Sequence, residues 1–121
     1  MSNAVRAAHI DGMSIFSIPA DVAENLPAEA KAFNDAKAVY DAAEAHYGYM
    51  RTMGAEDEYI VKARSEDPYA LNLASRIAEA RDQYRADLAV ARGEYKAALQ
   101  AKTDAYIAFI QAASRLEQHA A

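Results

Sequence analysis

The three histidines are the side chains best suited to acid–base or metal chemistry at neutral pH, and their placement argues against both. His9, His46 and His119 lie far apart, and none has a carboxylate or second histidine three or four residues away. Two ligands on one helix face need that spacing. The Glu-x-x-His pairs of carboxylate-bridged di-metal bundles do not occur either. Absence of cysteine removes disulfides, thiol catalysis and zinc–thiolate sites. No Gly-x-Gly-x-x-Gly run or P-loop is present to cradle a phosphate, and no Gly-x-Ser-x-Gly elbow to expose a nucleophile. A small helical enzyme binding an acidic substrate would need several cations pointing into its bundle. Here only Lys102 stands at an inward position, and its ammonium is expected to reach outward along the surface. Tyr84, Tyr95 and Tyr106 form a ladder that could stack a base or cofactor, but their spacing suits helix packing better. The reading is therefore non-enzymatic: no catalytic residue, no cofactor, no metal and no small-molecule substrate.

The elements that carry these residues follow from a repeat. IAEARDQYRAD from Ile77, LAVARGEYKAA from Leu88 and LQAKTDAYIAF from Leu99 align at a period of eleven, with a worn fourth copy from Ile110. Eleven residues make three helical turns at about 3.67 residues each, close to a straight α-helix. Ile77, Leu88, Leu99 and Ile110 then share one stripe, with the tyrosine ladder beside it. About a quarter of the chain is alanine, against three prolines and four glycines, a composition suited to long helices. The fold class is all-α: a helical hairpin in one domain, residues 25–121, after an N-terminal arm, residues 1–24.

The arm holds Ile15, Phe16 and Ile18 ahead of Pro19, and Asp21 with Glu24 can cap a helical turn. A helix of about 26 residues is expected over about 27–53, with Pro27 in its first turn and Gly54 as its stop. Phe33, Tyr40 and Tyr47 recur every seven residues along it, with Ala36, Ala43 and Met50 three further on. Residues 54–67, acidic at both ends, are expected to be an irregular connector with some helix. Asp67 as cap and Pro68 at the first position start the second helix, about 68–118, which is expected to pass through Gly93 unbroken.

The unequal lengths imply a partner. Helices of about 26 and about 50 residues would span about 40 Å and about 75 Å. A hairpin of the two would leave nearly half of the longer helix uncovered, including AYIAFIQAA at 105–113, which is apolar on most sides. Tyr95, Leu99, Tyr106, Ile107, Phe109, Ile110 and Leu116, with Ile15, Phe16 and Ile18 of the arm, are thus the candidate protein interface. Arg81, Arg85, Arg92 and Lys96 line one edge of the stripe, where they can meet Asp35, Asp41 or Glu44 or another copy. The expected function is structural: a scaffold, adaptor or phage virion-type component built by helix–helix association in a homo-oligomer or larger complex. The competing reading is an acidic helical regulatory module that occludes a partner protein through residues 55–67. A net charge of −5 argues against nucleic acid as partner. No apolar run reaches the ~18 residues of a membrane span, and no secretory signal is evident. The expected location is the cytoplasm or an assembled particle such as a virion.

Overall fold

The structure, a computed structural model, describes residues 20–66, 69 and 71–120, with side chains through residue 117. Its elements are α1 (Ala20–Asn25), α2 (Pro27–Met50), α3 (Met53–Glu66) and α4 (Leu73–Ala120), and the described residues contain no strand. The fold is all-α, with a helix of 24 residues and one of 48 as its long members. Residues 1–19, with Ile15, Phe16 and Ile18, lie outside the described residues, as do Asp67 and Pro68. Asp21, expected to cap, lies within the first turn of α1, and its carbonyl accepts from the Asn25 amide at 3.2 Å.

Three expected boundaries move. The first helix ends at Met50, not near 53, because Arg51 and Thr52 leave the helical path. The Thr52 hydroxyl donates to the Tyr49 carbonyl at 2.8 Å and accepts from the Ala55 N–H at 3.3 Å. One side chain thus closes one helix and caps the next. The supposed connector 54–67 is helix α3, and Gly54 lies in its first turn as no stop at all. The long helix begins at Leu73, after a turn at Leu71 and Asn72, where the Arg76 N–H reaches the Asn72 carbonyl at 3.1 Å. At Gly93, as expected, α4 runs straight through. A Cβ built on Gly93 would meet nothing within 4 Å, so the glycine serves no close approach.

The described residues form two compact units, residues 20–40 with 98–120 and residues 41–97. In the first, Phe33 of α2 packs on Tyr106 of α4 while Tyr40 packs on Lys102, so the two helices run antiparallel there. Its core contains Phe33, Tyr106 and Phe109 beside Ala30, Ala98 and Ala113, with Ala105 and Ile110 packed at the edge. In the second, Met50, Ala55, Tyr84 and Ala91 form the core, with Tyr47, Tyr59 and Leu88 against it. Each unit on its own pairs α4 with an earlier helix, as a helical hairpin does.

This pairing corrects the expectation that half of the long helix lacks a cover. Within the first unit, Phe33 of α2 covers Tyr106, and Phe109 is buried. Within the second, α3 lies along α4 and adds the wall that an irregular connector would not supply. The centre of the apolar stripe also moves. Ala91, Ala98 and Ala113 are buried, whereas Ile77, Leu88, Leu99 and Ile110 are half-buried flanks. Alanine on the contact line lets helix axes approach to about 8 Å, and longer side chains then close over the seam from the sides.

Candidate functional site

Within the unit of residues 41–97, aromatic and polar groups converge between α3 and α4. The Tyr59 hydroxyl donates to Asp87 Oδ2 at 2.6 Å, and the Gln83 amide donates to Oδ1 at 2.8 Å. Two hydrogen bonds to the anion hold the Asp87 carboxyl below its ordinary range, the Tyr59 bond being the larger cause. The same bond, with burial and the charge of Asp87, pushes Tyr59 up to about 12. At neutral pH the pair is a fixed neutral donor and a fixed anion, and neither is poised to shuttle a proton. Tyr59 meets Tyr84 edge-on, with centroids 5.5 Å apart and planes at 71°. Tyr84 donates its hydroxyl to the Met50 carbonyl, which the break after α2 leaves without its helical donor.

Beside this cluster an open groove of about 780 Å³ runs between α3 and α4. Glu58, Glu66, Glu79 and Asp87 give its walls four acids, against the bases Lys62 and Arg76. Alanines Ala63 and Ala80 leave the space between the helices that larger side chains would fill. Among the described residues no three His, Asp or Glu side chains converge as a metal site. Further along this unit, Tyr47 stacks on Tyr95 at 5.4 Å and 30°, and the Arg51 guanidinium lies 5.2 Å from the Tyr47 ring. Tyr95 is therefore a half-buried partner of α2.

The unit of residues 20–40 and 98–120 holds most of the candidate interface among the described residues. Phe109 is 1 % exposed and Tyr106 is buried against Phe33, with centroids 5.5 Å apart. Burial pushes the Tyr106 hydroxyl above its ordinary value. Both positions are buried within the chain, Tyr106 because Phe33 of α2 reaches it. Leu99 and Ile110 are half-buried. Ile107 and Leu116 remain open, at 47 % and 43 % exposed. Lys102, expected to turn its ammonium outward, is buried over the Tyr40 ring.

Sequence reasoning passed over other exposed apolar side chains: Val39 and Tyr49 on α2, Met53 and Val61 on α3, Leu71 in the turn and Val90 on α4. Val90 alone of these lies within the eleven-residue repeat, off its stripe. The basic edge of α4 is exposed as expected of a charged flank, with one partner on α3 and one on α4 itself. Arg81 pairs with Glu56 of α3 at 3.7 Å and Arg85 with Asp82 at 3.2 Å, while Asp35 takes Lys31 on its own helix at 2.7 Å. Pairs as exposed as these are screened by water and add little to stability. His46 is exposed on α2; His9 and the His119 side chain lie outside the described residues.

Comparison of the chain with protein-family models, with curated proteins and with solved structures finds no match.

Proposed function

We propose that this chain is a non-enzymatic structural or assembly protein. It acts through helix–helix association in a homo-oligomer or a larger complex, as a scaffold, an adaptor or a phage virion-type component does. The observation that carries the reading is the single seam on α4. Buried residues fall on one side of that helix, while Val90 and Ile107 are 60 % and 47 % exposed. Each stands two residues after or before an inward side chain, Leu88 and Phe109, about 200° around the helix. A large aliphatic side chain in water forgoes about 1.5–3 kcal/mol relative to burial, so helices with apolar residues on their outer faces gain from a neighbour. No helix among the described residues is long and apolar enough to cross a membrane, which leaves a protein neighbour as the simplest cover.

The test is sedimentation equilibrium over a hundredfold range of concentration, on the wild type and on Ile107→Asp. Ile107 is exposed, so the variant keeps the fold of the chain. Association that strengthens with concentration in the wild type and is lost in Ile107→Asp is the expected result. A monomer at every concentration, indifferent to the substitution, overturns the proposal and favours an acidic module acting on a different protein.

A further inference from the structure

Helix α3 meets α4 through Ala55, Tyr59 and Ala63, and it turns a different stripe to water. Met53, Asp57, Ile60 and Arg64 recur at spacings of four, three and four, so they line one side of the helix, with Val61 beside them. Met53 and Val61 are 83 % and 63 % exposed, Asp57 and Arg64 are exposed, and Ile60 is half-buried. Among the described residues neither Asp57 nor Arg64 has a hydrogen-bond or ion-pair partner, whereas Lys31, Arg81 and Arg85 each pair with an acid.

The two charges make this stripe its own complement. Asp57 stands three residues before Ile60 and Arg64 three after Val61, so each lies about 5 Å along the helix from the midpoint. Let a second α3 lie on the first in antiparallel fashion, about a two-fold axis between Ile60 and Val61. Asp57 of each chain then faces Arg64 of the other, and the two copies of Ile60 and of Val61 meet at the centre. A parallel pairing would set Asp57 on Asp57 and Arg64 on Arg64. A partner of different sequence requires no such symmetry, whereas a patch that meets itself does.

We propose that the outer stripe of α3 is a two-fold contact between copies of this chain, with Asp57 and Arg64 paired reciprocally around Ile60 and Val61. It rests on the homo-oligomer reading above and names the surface and its orientation. Burial of Ile60 and Val61 supplies the attraction, and the charges select the antiparallel arrangement. With 14 residues, α3 is about 21 Å long, too short to hold two chains by itself. It therefore orients an association to which Ile107 also contributes.

Sedimentation equilibrium on charge-reversed chains tests the contact. Asp57→Arg and Arg64→Asp each turn both pairs into like-charge contacts, and each should weaken association at least about tenfold. Combining Asp57→Arg with Arg64→Asp in one chain restores opposite charges and should return association to near the wild-type level. An equimolar mixture of the two single variants should associate as mixed pairs, because each supplies the charges that the other lacks. Circular dichroism should show full helix content throughout, since both side chains are exposed. Single variants that associate like the wild type overturn the contact, as does a double variant or a mixture that fails to recover. Loss of helix in a single variant also overturns it, because that charge would then serve its own chain. A wild type that is monomeric at every concentration removes the homo-oligomer reading as well, whereas association indifferent to Asp57→Arg removes this contact alone.

Discussion

Phe109→Ala separates burial inside the chain from burial between chains. Phe109 is 1 % exposed, enclosed by its own unit. A phenylalanine side chain removes about 150–250 Å² from water. At about 25 cal/mol per Å² this corresponds to about 4–6 kcal/mol, an upper bound because unfolded chains already hide part of that surface. Measured Phe→Ala truncations in cores cost about 3–5 kcal/mol, cavity included. We therefore expect a loss of about 4 kcal/mol, close to a thousandfold in the folding equilibrium. With a urea slope of about 2 kcal/mol per molar, the midpoint falls by about 2 M. The assay is urea unfolding followed by circular dichroism at several protein concentrations. The shift must be the same at each concentration, since no second molecule takes part in the contact. Ile107→Ala, at 47 % exposed, is the control and should cost about 1 kcal/mol or less in the monomer. A Phe109→Ala loss below about 1 kcal/mol, or one that grows as the protein is concentrated, would refute the placement of Phe109 within its own chain.

Other substitutions test the remaining contacts. Gly93→Ala should stabilise by about 1 kcal/mol, because the position is helical and a Cβ there meets open space; a lower melting temperature would show that something does approach it. Tyr84→Phe strands the Met50 carbonyl at the end of α2 and should cost about 1–3 kcal/mol, read from the urea midpoint; an unchanged midpoint would mean that the bond adds nothing. Tyr59, held to about 12, contributes stability that is complete below the ordinary tyrosine pKa of about 10 and is lost as pH rises toward 12. Absorbance at 295 nm should then show a late-titrating tyrosine that disappears in Tyr59→Phe. The lowered Asp87 gives the acid counterpart. Its contribution is present above the ordinary carboxylate pKa of about 4 and is lost as pH falls through its depressed folded value, so Tyr59→Phe should be less sensitive to acid than the wild type.

Local chemistry was enough to read the two long helices. Alanine content and the eleven-residue period run through Gly93 without a phase change, and α4 is continuous there. Pro27 marks the start of α2. Helix α3 reads in sequence only as a connector with some helix because its inward face is Ala55, Tyr59 and Ala63 among charges, too small an apolar signal to stand out along the chain. The break before it depends on Thr52 and on a hydroxyl supplied from α4, 34 residues away. The same holds for the candidate interface. Periodicity marks Tyr106 and Phe109 as needing cover, and both are buried within the chain, Tyr106 against Phe33 of α2, while Ile107 on the opposite side stays open. A repeat reports that a face is apolar because that follows from the order of residues along one helix. Which surface meets that face depends on where distant segments come to lie, so the division between core and free surface was settled only by the tertiary structure.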